Sequence, residues 1–360
     1  MSILLAGNGN IGRALMSIFN HQGEHPDITV CDIRDGIDCI EYIKSHADKI
    51  ETVVNLTTAP TQKVLAACAE RNISYIDAGI ESFPEELTVH EYYQEMMNRE
   101  KNAKYLFGFG MNPGLVEYIY FKHAPKSPHI AVLFEFDDAT KGERIFNTWS
   151  PLSYYNEAVK DFKFITTQEK PMLIVPDDSS VRLDVQGKSR RFLVIPHDET
   201  FSMCRVNKNC LSACFLYQAP ERIQEYFQTR GRSISENEIK SIETLHDIEG
   251  RDTVGVLYYE PGKPLRYAFN SACHQEKFAL LNTNATCWQT ACGIYTAIKL
   301  LPHLDNGAIT MSDVAVSHDA IISGILNELG FLIEETTGLI PLDEFEEKVL
   351  SLFPEEAKRF

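Results

Sequence analysis

Short apolar segments alternate with amphipathic stretches over roughly the first 115 residues of the chain. The apolar segments are typical of buried strands, and they occupy residues 2–6, 28–32, 52–56, 75–78 and 105–109. Between the first two of them, apolar side chains recur at helical spacing, at Ile11, Leu15, Ile18 and Phe19. Because strands that alternate with helices form crossover connections, this pattern predicts an α/β fold with a doubly wound parallel sheet.

From about residue 127 the apolar segments are separated by turns instead of long helices. They lie at residues 130–136, 172–175, 181–185, 192–195, 211–217, 254–259 and 265–269. Helices are predicted only at 221–229 and 236–245 in this region. Glu260-Pro261-Gly262-Lys263-Pro264 separates the last two segments, as the turn of a hairpin does. We therefore predict an α+β second domain with a mainly antiparallel sheet.

Helical patterns return after residue 284, at residues 286–301 and 342–352. We predict that residues 284–360 complete a first domain made of residues 1–125. Residues 126–283 would then form the second domain, with substrate-binding and catalytic residues. An exposed edge of its sheet is the expected contact surface of a homodimer.

The first strand runs directly into Gly7-Asn8-Gly9-Asn10-Ile11-Gly12. A G-x-G-x-x-G sequence between a strand and a helix is typical of a dinucleotide-binding Rossmann fold. Gly7 permits the tight turn, Gly9 lets the backbone approach a pyrophosphate, and Gly12 lets the helix pack against the strand. Asn10 and Ile11 begin the helix, whose N-terminus favours phosphate. Glycine-rich turns also occur in loops that bind nothing, so the flanking residues decide the matter.

Asp32 ends the second predicted strand, 20 residues after Gly12. At this spacing a carboxylate accepts hydrogen bonds from the adenosine ribose and repels a 2′-phosphate, so the sequence predicts NAD rather than NADP. Arg34 leaves an alternative open, since a nearby guanidinium can accommodate a 2′-phosphate. Ligands of such sheets bind beyond the carboxyl ends of the strands, which adds Thr57 and Thr58 to the predicted cofactor site.

The chain carries 51 acidic and 34 basic residues, a net charge of −17. Such a surface repels phosphate backbones, which argues against nucleic acid or an anionic membrane as a partner, and it favours encounter with a cationic small molecule. The nine cysteines lack the spacing of a zinc site and indicate reduced thiols, so we expect no metal. No apolar run is long enough to span a bilayer and no secretion signal is evident, so we expect a cytoplasmic protein.

Four further segments form recognisable motifs: Asp77-Ala78-Gly79-Ile80-Glu81, Gly110-Met111-Asn112-Pro113-Gly114, Asn147-Thr148-Trp149-Ser150, and Asn284-Ala285-Thr286 with Gln289. Together with the glycine-rich segment of residues 7–12, which we call the fingerprint, they resemble the saccharopine-dehydrogenase-like oxidoreductases, and within these the bacterial homospermidine synthases. The resemblance implies NAD-linked oxidation of an amine to an imine, or the reverse. For the synthases it implies imine exchange between amines, a transferase step of polyamine biosynthesis.

The resemblance leaves the substrate open, because residues 155–235 lack the pattern of the synthases. One alternative is a diamine such as putrescine. Another is an amino-acid-derived secondary amine, as in saccharopine and carboxynorspermidine dehydrogenases, which also have an Asn-Glu after their Trp-Ser, like Asn156-Glu157. Such a substrate carries carboxylates, for which Lys188, Arg190 and Arg191 are candidate partners. A third alternative is a non-catalytic NAD-binding sensor.

The motifs and the strand ends together give six candidate catalytic residues: Asn112, Glu81, Glu117, Trp149, Glu157 and His274. Asn112, Pro113 and Asp77 are also expected at the cofactor. The two acids Glu81 and Glu117 would hold a protonated amine or take its proton, provided that burial raises their pKa.

Trp149 would hold an ammonium group by cation–π attraction, with Glu157 close behind it in the sequence. His274 would act as a general base, because its ordinary pKa lies near working pH. Each candidate also has a structural alternative. Pro113 is compatible with a plain helix start, Asp77 with a structural hydrogen bond, and the others with packing or surface positions.

Overall fold

The computed structural model describes residues 1–79, 89–98 and 102–358 of the chain. These residues form two compact units. The first contains the described part of residues 1–118 together with residues 287–331. The second contains residues 119–286 and the described residues after position 331.

The described residues form the following strands: β1 Ser2–Ala6, β2 Asp27–Cys31, β3 Thr52–Asn55, β4 Ser74–Asp77, β5 Lys104–Leu106, β6 His129–Asp137, β7 Phe164–Thr167, β8 Leu173–Ile174, β9 Ser180–Val185, β10 Lys188–Ile195, β11 Cys210–Gln218, β12 Arg251–Tyr259, β13 Arg266–Cys273, β14 Gly307–Ile309 and β15 Glu334–Thr337.

The helices are α1 Asn10–His21, α2 Cys39–Ser45, α3 Thr61–Ala69, α4 Val89–Met97, α5 Leu115–His123, α6 Pro151–Tyr155, α7 Glu199–Val206, α8 Glu221–Arg230, α9 Glu236–Lys240, α10 His274–Leu281, α11 Ala285–Leu300, α12 Met311–Val314, α13 Asp319–Glu328 and α14 Leu342–Glu344. Two π-helical turns, Asn156–Lys160 and Phe345–Val349, continue α6 and α14.

In the described part of the first unit, six strands form one sheet in the order β14-β5-β4-β3-β1-β2, and every pairing in it is parallel. The predicted doubly wound parallel sheet is therefore confirmed. Its central strands are apolar throughout, because both faces of such a sheet are covered; Leu4, Leu5, Val53 and Val54 are fully buried. The chain places β2 on one side of β1 and β3 on the other, so the strand order changes direction between β1 and β3. Ligands of such sheets bind at this point.

The second unit contains a mixed sheet in the order β15-β13-β12-β6-β11-β10-β9, with β7 beside β11 and β8 beside β7. Among the described pairings of this sheet only β6 with β11 is parallel, so the predicted, mainly antiparallel sheet is confirmed. Side chains of a strand alternate between the two faces. In β6, Val132, Phe134 and Phe136 enter an apolar core, whereas Glu135 and Asp137 lie on the opposite face.

The C-terminal segment after residue 331 packs in the second unit, whereas we predicted that all of residues 284–360 complete the first. Its strand β15 extends the mixed sheet by pairing with β13. Its apolar side chains Phe345, Val349 and Phe353 belong to the apolar core of that sheet. Burial of these residues is the physical reason for the difference, since an apolar helix stripe must cover some apolar surface.

Candidate functional site

The three glycines of the fingerprint meet three different surroundings. Gly7 has a positive φ of 94°, and a Cβ there would lie 2.6 Å from the carbonyl oxygen of Leu56. A Cβ on Gly12 would lie 2.6 Å from the carbonyl oxygen of Gly7. These two positions therefore need glycine for the fold. A Cβ on Gly9 would meet nothing within 4 Å, so open space lies in front of this residue at the start of α1.

This open space fits a phosphate. Asn10 and Ile11 follow as the first residues of α1, and no acidic side chain occupies its first turn. Gly9 precedes the helix without a side-chain cap, and the first backbone N–H groups of a helix have no partner within the helix itself. The cradle matches the requirements of a dinucleotide pyrophosphate in both room and charge.

Asp32 lies directly after β2, is only 6% exposed, and is surrounded by hydrogen-bond donors. The backbone N–H groups of Asn8 and Arg34 donate to its two carboxylate oxygens at 2.8 and 2.9 Å. The Arg34 guanidinium donates to the same oxygens, from Nε at 2.8 Å and from Nη2 at 2.6 Å. These bonds hold the pKa of Asp32 well below its usual range, so the carboxyl stays charged.

The loop after β3 lies against the fingerprint turn, since Leu56 is the residue that crowds Gly7. Asn55 orders this loop: its Oδ1 accepts from the Thr57 hydroxyl at 2.8 Å, and its amide donates to the Tyr75 hydroxyl at 2.9 Å. Thr57 is half-buried and Thr58 is exposed. Both predicted residues therefore lie at the carboxyl edge of the sheet, next to the turn.

Asp77 ends β4 and organises the neighbouring loop. It is buried, its Oδ1 accepts from the Gly108 N–H at 2.7 Å, and its carbonyl accepts from the Phe109 N–H at 2.9 Å. The carboxylate thus has the structural hydrogen bond that was one of its two predicted roles. Glu81, in the same motif, lies outside the described residues.

The loop that carries Asn112 is tightly folded. The Asn112–Pro113 peptide bond is cis, and Pro113 packs against Gly108 and Gly79. A Cβ on Gly114 would lie 2.3 Å from the Gly110 carbonyl oxygen. Helix α5 begins at Leu115, so Pro113 lies in the turn before the helix and not at its first position. Asn112 is half-buried in this loop, which adjoins the end of β4.

Glu117 lies in α5 and is buried, although a surface position was the default expectation for a helical glutamate. Its Oε1 accepts a hydrogen bond of 2.5 Å from the hydroxyl of Ser312. The carboxyl is therefore tied to α12 of the same unit.

The second unit carries a cluster of acids on the face of the mixed sheet opposite its apolar core. Glu135 and Asp137 are two residues apart in β6, and Asp252 of β12 lies directly opposite Asp137. All three side chains are buried. We call this group the acidic face. Tyr217 of β11 pairs in register with Glu135 and borders the same face.

The three acids of the acidic face are not equivalent. Asp137 accepts from the Ala139 N–H at 2.8 Å, from the Thr148 hydroxyl at 2.6 Å and from the His274 ring at 3.0 Å. Burial, with the nearby charges of Glu135 and Asp137, raises the pKa of Asp252 well above its usual value. Its surroundings therefore favour the protonated form of the Asp252 carboxyl.

His274 is fully buried and uses both ring nitrogens within the protein. Its Nδ1 accepts from the Ala285 N–H at 3.1 Å, so Nε2 must carry the proton and donate it to Asp137 at 3.0 Å. A role as general base, which we predicted, would require one of these bonds to break. In the structure, the hydrogen bond from His274 instead orients the Asp137 carboxylate.

Trp149 is half-buried, and its indole N–H donates to the Tyr217 hydroxyl at 2.9 Å. Tyr154 contributes a third ring, edge-on to Tyr217 with centroids 5.4 Å apart. The three rings form an aromatic wall on the side of Glu135. Aromatic faces beside carboxylates form a good environment for an ammonium group.

Glu157 lies in the π-helical turn that follows α6. Such turns are rare and are frequent at functional sites. Its Oε2 is 4.0 Å from Nε2 of His197, a histidine that is not among the residues predicted from the sequence. Nδ1 of His197 donates to both carboxylate oxygens of Glu199 at 3.0 Å, and the side chain of Glu199 is fully buried.

His197 stacks on Phe215, with ring centroids 4.3 Å apart. Phe215 is two residues before Tyr217 in β11, so both belong to the face that Glu135 and Asp137 occupy. Burial opposes the charged imidazole, but the carboxylates of Glu199 and Glu157 outweigh it and raise the pKa of His197 to about 9. The sequence signal that could have identified His197 is the pattern His-x-Glu shortly after the strand predicted at residues 192–195.

The three basic residues considered for a carboxylated substrate have partners elsewhere. Lys188 and Arg190 both donate to the carboxylate of Asp138, the latter through two nitrogens. The guanidinium of Arg190 also lies over Phe136, on the apolar side of the sheet, 4.2 Å from the ring centroid. Arg191 donates to Ser180 and Gln228.

No grouping of three or more His, Cys, Asp or Glu side chains within the described residues could hold a metal ion. Within the same residues, no helix is both long and apolar enough to cross a bilayer.

No family model and no curated protein matches the sequence. Among solved structures, the homospermidine synthase from Legionella pneumophila, crystallised in complex with NAD, is similar with a TM-score of 0.74 and 15% identity; the match covers 93% of this chain and 91% of that one. Saccharopine dehydrogenase (L-glutamate forming) from Saccharomyces cerevisiae, in its apo form, is similar with a TM-score of 0.58 and 10% identity over 93% and 99%. The chain has the fold of these two enzymes.

This fold likeness confirms, for the architecture, the resemblance to saccharopine-dehydrogenase-like oxidoreductases. It also extends over most of residues 155–235, where the sequence motifs stop, because 93% of the chain is covered. The second unit therefore shares the architecture of these enzymes, although residues 155–235 lack their sequence pattern.

Proposed function

We propose that this chain is an NAD-dependent oxidoreductase that acts at the amine carbon of a cationic amine through an imine. We further propose a diamine of the putrescine type as the substrate and a redox-neutral exchange of amines, as in homospermidine synthases, as the reaction. The observation that carries the proposal is the acidic face with its aromatic wall in the second unit.

The first unit would hold the cofactor. Gly9 and the start of α1 offer the room and the N–H groups for the pyrophosphate, and Asp32 offers charged oxygens for ribose hydroxyls. A nicotinamide ring, when bound, supplies the hydride acceptor and donor. The similar synthase from Legionella pneumophila was crystallised with NAD, which supports the same cofactor here.

The second unit would hold the ammonium groups of the substrate. Glu135 and Glu157 provide negative charge in largely buried positions, and Trp149 provides an aromatic face. Transfer of a cation into such a site is favourable only if the lost hydration is replaced by charge and by π electrons. The commitment of Lys188 and Arg190 to Asp138 weakens the alternative of a carboxylated substrate.

The chemistry requires proton transfers at nitrogen. Oxidation removes a hydride from carbon and a proton from nitrogen; attack of a second amine on the imine then displaces ammonia, and return of the hydride gives a secondary amine. Release of ammonia needs a proton donor. His197 fits this role, because its pKa of about 9 keeps it protonated at neutral pH and Glu199 fixes its orientation.

The test is a substrate panel. Purified protein with NAD is given putrescine, spermidine, saccharopine or carboxynorspermidine, and NADH absorbance and amine products are followed. Homospermidine without net NADH is the expected result for putrescine. NADH formed only with the carboxylated amines would overturn the diamine proposal, and NAD binding without turnover of any amine would favour the sensor.

Variants of the second unit make this test specific. Glu157→Gln keeps the shape of the side chain but removes its charge, so we expect loss of turnover with NAD binding intact. Glu169→Gln makes the same change at an exposed glutamate and serves as the control. Equal activity of the two variants would contradict the role of Glu157.

A further inference from the structure

The guanidinium of Arg34 is hydrogen-bonded to three oxygen atoms of two residues. Its Nε and Nη2 donate to the two oxygens of Asp32, and Nη2 also donates to the Asn8 carbonyl oxygen at 2.8 Å. Among the described residues, no hydrogen bond involves Nη1. The Arg34 side chain is 62% exposed, so Nη1 presents its two N–H groups outward from the carboxylate that would bind ribose.

A second guanidinium lies beside the first. Nη1 of Arg13 donates at 3.0 Å to the same Asn8 carbonyl oxygen that accepts from Arg34, and its Nη2 donates to Asn10 Oδ1 at 2.6 Å. Both arginines therefore converge on the backbone of the fingerprint turn. Their side chains come from different elements, α1 and the turn after β2, and share one acceptor.

We propose that this arrangement lets the chain bind NADP as well as NAD, with Arg34 taking the 2′-phosphate. The inference rests on the proposed function, since it assumes that the first unit binds a dinucleotide. It modifies the sequence-based expectation of NAD rather than NADP and favours the alternative that Arg34 left open there.

Charge decides whether a phosphate is tolerated. A carboxylate alone repels a 2′-phosphate, but here Asp32 is neutralised by a two-point ion pair with Arg34. Asp35 adds a second negative charge close to Arg34, and Arg13 adds a second positive charge. A 2′-phosphate thus meets a group with no net charge and two exposed guanidinium donors. A 2′-hydroxyl can use the Asp32 oxygens once the guanidinium moves aside.

The experiment measures Kd for NAD and for NADP by calorimetry on the full chain. For the wild type we expect the two Kd values within about tenfold of each other. Arg34→Ala should weaken NADP binding by about tenfold or more, the usual range for a lost hydrogen bond to a charged group, and leave NAD binding equal or tighter, because the guanidinium no longer occupies the Asp32 oxygens. Arg34→Lys should retain only part of the wild-type NADP affinity, since an ammonium group cannot make a two-point contact as a guanidinium does.

The control is Arg71→Ala, which removes the same charge from an exposed residue of the first unit before β4. Wild-type protein that binds NAD but not NADP would overturn the inference. An equal loss of both cofactors in Arg34→Ala would also overturn it, because Arg34 would then serve only the structure of the turn. Failure to bind either cofactor would instead refute the proposed function.

Discussion

Gly9 and Gly12 allow a sharp comparison, because one glycine is expected to serve the ligand and the other the fold. Gly9 has a φ of −74°, which alanine adopts freely, and its Cβ would meet open space. Gly9→Ala should therefore leave folding intact, or add roughly 0.4–1 kcal/mol by restricting the unfolded chain. Gly12→Ala brings a methyl group to 2.6 Å from a backbone oxygen, where something must shift.

The two substitutions are expected to change stability in opposite directions, and only Gly9→Ala is expected to weaken NAD binding. Overpacking of this sort costs about 1–3 kcal/mol, of which the better helix propensity of alanine returns up to about 1 kcal/mol. Gly12→Ala should thus lower Tm by several degrees, at roughly 2–4 °C per kcal/mol for a unit of this size. Gly9→Ala should keep its Tm and lose about tenfold or more in NAD affinity, because its methyl group would fill the space proposed for the phosphates.

Thermal unfolding by intrinsic fluorescence and NAD binding by calorimetry read out the two effects separately. Wild-type NAD affinity in Gly9→Ala would refute the proposed approach of the backbone to the pyrophosphate. A Tm loss in Gly9→Ala as large as in Gly12→Ala would refute the assignment of open space.

Four further changes test other parts of the site. Asp32→Ala should weaken NAD binding without a change in the circular dichroism spectrum. Trp149→Leu should raise KM for a diamine about tenfold or more, since a desolvated cation–π contact contributes roughly 2 kcal/mol. The kcat of the wild type should fall above about pH 9, where His197 loses its proton, and His197→Gln should lack this limb. Asp252→Asn should gain stability over the wild type as pH rises, because a carboxyl with a raised pKa destabilises the fold once the unfolded chain ionises.

Each of these results has a contradicting outcome. Unchanged NAD affinity in Asp32→Ala would reject the ribose contact, and an unchanged KM in Trp149→Leu would reject the aromatic contact. If kcat of His197→Gln still falls above about pH 9, the fall is due to another ionisable group. A Tm difference between Asp252→Asn and wild type that stays constant from pH 4 to pH 9 would mean that Asp252 ionises normally.

The fold was predictable where local sequence determines it. The strands β1 to β4 are short apolar runs between helix signals, and their bounds fall close to the prediction. Strands β7, β14 and β15 were not predicted, and the last two were missed for different reasons. Gly307–Ile309 has three residues, too few for a pattern, and Glu334–Thr337 has no apolar side chain at all. The latter is a strand only because it pairs with β13, which tertiary packing decides.

The sequence allowed a more complete proposal for the cofactor half of the candidate site than for the substrate half, where it named Trp149 and Glu157 but neither the acidic face nor His197. The fingerprint and Asp32 are close in sequence, so their spacing carries the information. The acidic face depends on the register that sets Asp252 against Asp137, a pairing across more than a hundred residues that no local pattern encodes. The structural partners of His274 were hidden in the same way, since Asp137 and Ala285 come from distant segments.

The proposed reaction requires transfer of a hydride between an amine carbon of the substrate and the cofactor. It is tested by mixing stoichiometric amounts of the protein, NAD and putrescine that carries deuterium on both amine carbons, and by analysing the quenched cofactor by mass spectrometry. We expect deuterium in the nicotinamide ring of samples quenched before one turnover is complete, since completion of the exchange returns it to carbon. Bound NAD that stays free of deuterium, with the label intact in the putrescine, would contradict it.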